Sequence, residues 1–190
     1  MKNVIKGGLA LVLVLAVSAF TIGIEKKEVK LEQSKIIWKG YKVTGSHHGS
    51  VALKSGHLLF ESGRLTGGEF VADITTLNSE DLTGEYKGKL EGHLKSPDFF
   101  GVEAYPEAKL VFTGIVAKGK NSYEATADLT IKDVTRSVSF PISIYGSKAS
   151  ATLKIDRTDY GLKYGSASFF DSIGDKAIYD EFDLVVDLEF

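Results

Sequence analysis

Four histidines are the side chains of this sequence best suited to metal or proton chemistry. His47 and His48 are adjacent, whereas His57 and His93 stand apart. A chelating pair needs i,i+4 spacing on a helix or i,i+2 spacing on a strand, and none of these histidines has it. Adjacent residues on a strand point to opposite faces, so His47 and His48 do not converge on one ion. We therefore predict no metal site.

Carboxylates near an arginine are the other candidates for chemistry. We interpret Asp156, Arg157 and Asp159 as an ion pair that fixes a turn at the end of a strand. Asp171 and Asp175 lie in a polar segment, which is typical of solvated carboxylates rather than of an acid–base pair. The sequence has no G-x-S-x-G elbow and no Cys, so it lacks these signatures of nucleophilic catalysis. We predict that the protein is not an enzyme.

The N-terminal residues have the pattern of a secretory signal peptide. Lys2 and Lys6 precede an uncharged run from Leu9 to Phe20, and Val17 and Ala19 occupy positions −3 and −1 of a cut after Ala19. We predict cleavage there and a periplasmic or secreted protein. A membrane anchor is the alternative, because the apolar run reaches the lower length limit of a spanning helix.

The remaining composition favours one ordinary domain. The chain has 190 residues, of which 43% are hydrophobic and 25% charged, with a net charge of −2. Nothing in this balance favours binding to nucleic acid, and we expect no stable membrane insertion after cleavage. We divide the chain into a signal peptide (1–19), a charged spacer (20–30) and a single domain (31–190). Monomer and homodimer both stay open.

Alternation of apolar and polar residues with period two predicts antiparallel strands along most of the domain. In the clearest case, Phe182, Val186 and Phe190 share one face and Asp183 and Asp187 the other. Further strands are predicted at 123–132, 137–144, 149–156, 35–43, 50–54, 56–61, 68–77 and 109–116. Many strands joined by short turns favour a sandwich or a barrel, and closing the sheet would remove its edges.

One segment, residues 81–95, has helical periodicity instead. Its apolar residues recur every four positions, namely Leu82, Tyr86, Leu90 and Leu94. Asn78 or Ser79 is the expected N-cap, and Pro97 is the expected stop. Glycines recur every four positions too, and each costs about 1 kcal/mol of helix propensity. We expect this helix to dock on the sheet, either as a movable cover or as a fixed plug.

Several segments resemble the YceI-like family. His93-Leu94-Lys95-Ser96-Pro97-Asp98-Phe99-Phe100 followed by Tyr105-Pro106 looks like its HL-x-S-x-DFF…YP signature. The segments 127–135 and 155–162 are similar to its LTIxGxT and R-x-D/E-F/Y-G elements. Similar segments also occur at 38–40, 45–49 and 67–74. The chain departs from the family at Leu90-Glu91, where members often carry Arg-Asp, and at Asp133, where a Gly is usual.

The resemblance implies an all-β fold with one short helix, a lipocalin-like closed antiparallel β-barrel of about eight strands. It also implies an exported protein that sequesters or carries a polyisoprenoid, an isoprenoid quinone or a fatty-acid-like lipid. No catalytic residues and no cofactor are implied beyond such a bound lipid. Two alternatives stay open: a structural or interaction barrel without a ligand, and, less favoured, a hydrolase or isomerase built in a barrel.

A barrel that holds an apolar chain needs a lumen lined by aromatic and aliphatic side chains. The residues that we predict to line it are Trp38, Phe70, Ile74, Phe112, Ile131, Phe140 and Leu153. Those predicted at its mouth are Phe99, Phe100, Tyr105 and Phe170, with Tyr86 and Leu90 on the helix above. Contacts to a polar ligand headgroup are predicted for His47, His93 and Arg157.

Overall fold

The computed structural model describes residues 23–170 and 174–190. The predicted signal peptide lies outside the described residues, and so does Asp171. The described strands are β1 (Ile24–Glu28), β2 (Lys35–Lys42), β3 (Gly45–Glu61), β4 (Arg64–Ser79), β5 (Glu107–Ala117), β6 (Ser122–Ile131), β7 (Val134–Tyr145), β8 (Lys148–Asp156) and β9 (Ile178–Glu189). One α-helix, α1 (Gly84–Lys95), and three short 3-10 helices at Leu31–Gln33, Arg157–Tyr160 and Gly174–Lys176 join them. None of the described helices is long and apolar enough to cross a membrane.

The sheet closes on itself. Antiparallel pairing runs in the order β3-β2-β9-β8-β7-β6-β5-β4, and β4 returns to β3, so eight strands form a closed barrel. This confirms the predicted fold class. In a closed barrel every strand of the ring has a neighbour on both sides, so no strand of the ring is an edge strand.

Strand β1 corrects the prediction of a charged spacer. Its residues pair with the end of β3, from Ile24 opposite Glu61 to Glu28 opposite His57. That part of β3 lies beyond its pairing with β2, so β1 takes the neighbouring position. The charged side chains that suggested a spacer are tolerated because β1 is an edge strand.

Strand β3 corrects a second prediction. The turn expected at residues 54–56 does not form, and one strand replaces the two predicted ones. The pairing of β3 with β4 shifts register between Leu53 and Ser55 instead. Such irregularities bend a strand without ending it, which lets a long strand follow the curved barrel wall.

The hairpin between β6 and β7 explains why Asp133 can occupy a position where family members usually have Gly. Lys132 and Asp133 both have positive φ, 51° and 62°. A two-residue turn with two positive φ angles matches the twist of the flanking strands, and Asp is among the residues that tolerate this conformation. Asp133 therefore replaces the usual Gly while keeping the hairpin.

Helix α1 starts later than predicted. Strand β4 continues to Ser79, and the helix begins at Gly84 after Thr83, which makes no side-chain cap bond. Ser79 is fully buried, and its amide donates to the Glu91 carboxylate (2.8 Å). Neither Asn78 nor Ser79 is the cap, because both belong to the strand. The helix ends at Lys95, just before Pro97, as predicted.

Strands β7 and β8 pair over only part of their length. The two strands pair only near their shared turn, from Tyr145 opposite Lys148 to Ile142 opposite Ala151, and separate beyond that point. Pro141 precedes the paired stretch and has no N–H to donate to β8. Tyr160 (2% exposed) and Leu162 (0%), from the segment after β8, belong to the core cluster that packs there. This segment seals the wall at the end of the barrel where α1 lies.

Candidate functional site

The barrel encloses a cavity of about 360 Å³. That volume falls in the range of small-molecule sites, ~300–1,000 Å³. All eight strands of the ring contribute lining residues, and α1 contributes Leu90, His93 and Leu94. The lining is mostly aliphatic and aromatic. Inward positions alternate with solvent-facing positions along each strand, so the same periodicity that builds the sheet also builds the cavity wall.

Most residues predicted to bind a ligand line this cavity. Those that do are Trp38, Phe70, Ile74, Leu90, Phe99, Phe100, Phe112, Ile131, Phe140 and Leu153, together with His47, His93 and Arg157. The aromatic rings form a continuous patch on one side, with centroids 5.8 Å apart for Phe70 and Phe112 and 5.9 Å apart for Phe112 and Phe140.

Tyr86, Tyr105 and Phe170 lie elsewhere, which corrects their predicted placement. Tyr86 is 74% exposed, because only the later turns of α1 lie over the cavity. Phe170 is 51% exposed in the segment before β9. Tyr105 is half-buried outside the cavity, with the Lys132 ammonium 5.9 Å from its ring centroid.

The sequence predictions also missed part of the lining. Ile36, Val51, Leu53, Leu110, Leu184 and Val186 all face the cavity. The alternation of apolar and polar residues identifies the inward face of these strands, and it was the only sequence pattern that pointed to these residues. It does not show where opposite walls touch and where they stay apart, because that depends on the curvature of the closed sheet.

Trp38 is fixed in the wall by a hydrogen bond. Its indole Nε1 donates to the main-chain oxygen of Asn78 (3.2 Å), near the end of β4. It is the only Trp of the chain, and its ring lines the cavity. The protein therefore carries its single indole fluorophore at the site.

The charged and histidine side chains of the lining lie toward one end of the barrel. Lys42 ends β2, His47 is near the start of β3, Lys109 is near the start of β5, Glu181 is near the start of β9, and Arg157 follows β8. In antiparallel order these strand ends meet on the side covered by α1. The few polar residues of the lining thus lie beneath the helix, although the cavity surface itself is almost wholly apolar.

His47 is held by the carboxylate of Asp81, a residue at the surface. Its Nδ1 lies 2.7 Å from Asp81 Oδ2, and Asp81 also accepts hydrogen bonds from the His48 amide and the Ser79 hydroxyl. Burial alone would raise the pKa of Asp81, but these hydrogen bonds outweigh it and lower the pKa to about 2. The pair ties the chain segment before α1 to the start of β3.

Arg157 is buried and already has protein partners. Its guanidinium donates to the main-chain oxygens of Leu162, Ile178 and Tyr179 and lies 3.4 Å from Asp180. Burial lowers its pKa, although nearby carboxylates favour the charged form. Arg157 therefore joins the segment after β8 to the start of β9. Its predicted role as a headgroup contact has to compete with these bonds.

His93 differs from these groups because one of its nitrogens is unpaired. Its Nε2 is buried and has no hydrogen-bond partner among residues 23–170 and 174–190. Aromatic rings surround it: the centroid of Tyr164 is 4.3 Å away and that of Phe99 is 5.7 Å away. His93 lines the cavity from the helix that covers it, while its Nε2 is enclosed by protein atoms.

The described lining is poorly equipped for covalent chemistry. It contains no Ser, Thr or Cys, and the described residues hold no cluster of three or more metal-ligating side chains. Solvation of an apolar chain is what this lining offers.

The match to a known family covers almost all of the described chain. The YceI-like domain model matches residues 27–190. The chain belongs to the YceI-like family. Among curated relatives, this YceI-like protein is 27% identical over 126 residues to a UPF0312 protein of Pseudomonas putida (strain W619), covering 61% of this chain and 64% of the relative. A UPF0312 protein of Shewanella denitrificans is 31% identical over 91 residues, covering 48% and 46%. The chain thus spans about half to two thirds of these relatives' own length.

Solved structures share the fold of this YceI-like barrel. Burkholderia cenocepacia BcnA superposes with a TM-score of 0.67 at 21% identity, covering 84% of this chain and 98% of that chain. A polyisoprenoid binding domain from Saccharophagus degradans superposes with a TM-score of 0.59 at 16% identity, covering 85% and 97%. At such identities the likeness establishes the architecture, and function has to be argued from the site.

Proposed function

We propose that this protein is an exported carrier that binds an apolar isoprenoid or acyl chain inside its barrel. The observation that carries the proposal is the cavity inside the barrel, which is lined mostly by aliphatic and aromatic side chains. Burying an apolar chain there gains roughly 25 cal/mol per Å² of area removed from water. The Saccharophagus degradans neighbour is a polyisoprenoid binding domain, which supports the same ligand class.

Two alternatives are less well supported. A purely structural barrel would gain stability by filling its interior, because empty volume forfeits packing interactions. A hydrolase or isomerase would draw on the Asp81–His47 pair, which resembles a carboxylate-oriented base. The described lining offers this base no Ser, Thr or Cys nucleophile, so ligand binding remains the function that the site supports best.

Trp38 emission during a titration with farnesol tests the binding proposal, with Ala151→Phe as the blocked variant. Ala151 lines the cavity on β8, so a Phe at that position fills the space that a ligand needs. We expect a saturable change of emission in the unmodified protein and at least about tenfold weaker binding in the variant. The matched control is Thr152→Phe, one residue along the strand on its exposed face.

The binding proposal fails if emission does not respond to farnesol and if organic extraction of protein from its own compartment recovers no lipid. It also fails if Ala151→Phe and Thr152→Phe bind equally well. Export is tested separately by N-terminal sequencing of the mature protein. We expect a chain that starts after Ala19, and recovery of a chain that starts at Met1 would contradict it.

A further inference from the structure

Exposed aromatic side chains are concentrated at the end of the barrel that α1 covers. Tyr164, Phe169 and Phe170 lie in the segment after β8, and each is about half exposed. Tyr179 at the start of β9 and Val43 between β2 and β3 are exposed to a similar degree. Large apolar side chains that are exposed together mark sites of interaction with a membrane or with another protein. We call these five residues the exposed cluster.

Hydrogen bonds hold the elements of the exposed cluster together. The Val43 amide donates to the main-chain oxygen of Ala177 (3.2 Å). The Ile178 amide donates to the main-chain oxygen of Gly165 (2.8 Å). The ring of Tyr164 also packs against a side chain of α1, with a centroid distance of 4.3 Å. The cluster therefore belongs to one connected surface at the rim of the barrel.

The exposed cluster borders a groove on the outside of the barrel wall. Val43 and Tyr179 belong to both the cluster and the groove. Four residues line the groove and the cavity alike, namely Tyr41, Ile178, Tyr179 and Glu181. The pairing of β2 with β9 is irregular at this place, as happens where a strand bends. A single layer of wall therefore separates the exposed apolar surface from the cavity.

The free charges around the exposed cluster are few and nearly balanced. Asp180, which lines the groove, lies 3.4 Å from Arg157. Glu181, which lines it too, lies 3.5 Å from Lys154. The other charged side chains at the end of β2 and in residues 158–170 and 174–179 are Lys42, Asp159, Lys163, Asp175 and Lys176. Such a mixture complements a headgroup with one phosphate and one ammonium, whereas a strongly charged partner would need an excess of one sign.

One lysine of the segment after β8 has the arrangement expected at a membrane surface. The Lys163 ammonium lies 4.3 Å from the ring centroid of Phe169. A lysine beside a ring keeps its ammonium among the headgroups while its stem and the ring contact the apolar layer. Tyrosines such as Tyr164 and Tyr179 are enriched at the same depth, because one end of the ring is apolar and the other is polar.

We propose that the exposed cluster docks the protein on the surface of a zwitterionic phospholipid bilayer. The inference rests on the proposed function and adds the partner with which the carrier exchanges its ligand. An apolar chain that crosses water between a membrane and the cavity exposes its whole surface, which is unfavourable. Docking at the groove brings the cavity wall against the bilayer and shortens this exposure.

Sedimentation with vesicles of phosphatidylcholine and phosphatidylethanolamine tests the docking directly. We expect the protein to bind these vesicles, and the doubly substituted Phe169→Ser, Phe170→Ser protein to bind at least about tenfold more weakly. Binding should change by less than about twofold between low and high salt, because it depends mainly on apolar contact. The matched control combines Val116→Ser with Tyr145→Ser, two exposed positions at the opposite end of the barrel, and should bind like the unmodified protein.

A farnesol titration without vesicles, followed by Trp38 emission, separates docking from ligand binding. The described cavity lining includes neither Phe169 nor Phe170, so their substitution should leave farnesol affinity unchanged. Transfer of farnesol from loaded vesicles to the protein should slow about tenfold in the same variant. An unmodified protein that does not respond to farnesol would count against the proposed function, while vesicle sedimentation would still report on docking.

The docking inference is wrong if both doubly substituted proteins bind vesicles equally well, or if the unmodified protein does not sediment with vesicles. It is also wrong if Phe169→Ser, Phe170→Ser lowers farnesol affinity as much as vesicle binding, because the rings would then act on the cavity. Sedimentation velocity supplies a further check. A dimer of the unmodified protein that this variant dissociates would identify the exposed cluster as an interface between two copies and overturn the inference.

Discussion

The α-carbon of Gly49 lies directly against the main-chain oxygen of Asn78, which an added Cβ would approach to 1.8 Å. The same oxygen accepts the indole N–H of Trp38. One carbonyl thus joins the start of β3, the end of β4 and a cavity-lining ring of β2. Only a residue without a side chain fits at position 49, because the neighbour is backbone and cannot rotate away.

Gly49→Ala should therefore destabilise the barrel. We expect a loss of about 2–3 kcal/mol in the free energy of unfolding, since the backbone has to shift to admit the methyl group. Trp38 emission should change as well, because its acceptor moves. Urea denaturation monitored by circular dichroism measures the first effect. Gly40→Ala on β2 is the control, as no atom lies within 4 Å of a Cβ there, and equal losses in both variants would contradict the argument.

Arg157→Met should remove the link between the segment after β8 and the start of β9. Three main-chain oxygens would lose their donor in a buried site, and we expect a loss of about 3–5 kcal/mol in stability. Thermal or urea unfolding checks this value. Arg136→Met, at an exposed position of β7, should stay within about 0.5 kcal/mol of the unmodified protein.

Asp81 should make the protein sensitive to acid. Its pKa is about 2 in the folded protein and 3.8 ordinarily, so the unfolded chain binds the proton more readily. The contribution of Asp81 to stability is therefore complete above about pH 4 and is lost as the pH falls toward 2. Asp81→Asn should be less stable at neutral pH and should lose less stability over that interval. An unchanged acid limb in this variant would refute the assignment, and Asp128→Asn on exposed β6 is the control.

Stiffening α1 should slow ligand exchange if the helix loosens to admit a ligand. Gly88 and Gly92 have open space where a Cβ would go, so replacing both with Ala stabilises the helix by about 1 kcal/mol each. We expect slower farnesol dissociation and slower hydrogen exchange of the α1 amides. Gly84→Ala should act in the opposite sense, because Gly84 has a φ of 57°. Unchanged dissociation in the doubly substituted protein would identify α1 as a fixed plug.

The strands that sequence patterns predicted best are those with one face in the core and one in solvent. In β6, Tyr123, Ala125 and Ala127 are buried while their neighbours are more exposed, and the alternation is legible residue by residue. Strand β1 was missed because it is charged and held by a single neighbour. Ser55-Gly56 is compatible with a turn and with a bend inside a strand, so the sequence predicted a turn where β3 bends. Pairing with β4 determines which of the two forms.

The cavity could be anticipated only in outline. Family resemblance and alternation predicted Trp38, Phe112 and Leu153 as lining residues. Whether a buried polar side chain finds a hydrogen-bond partner depends on residues far along the chain, which these patterns do not predict. Arg157 donates to oxygens of residues 162, 178 and 179, whereas His93 Nε2 and Tyr160 Oη have no hydrogen-bond partner among the described residues. No local pattern encodes which of two buried polar groups finds a partner, because that is settled when the barrel closes.

The pairing of β2 with β9 governs the order in which the chain can fold. Lys35 lies opposite Asp187, and Lys30 binds Glu189 across 159 positions of sequence. Contacts between such distant segments carry a large loop-closure entropy and form slowly. Strand β9 lies between β2 and β8 in the sheet, so these two strands lack their shared neighbour until β9 has been synthesised. Until β9 pairs with them, β2 and β8 each have a free edge, and the apolar side chains that they turn inward are not yet covered. A chain that lacks β9 is therefore prone to aggregation.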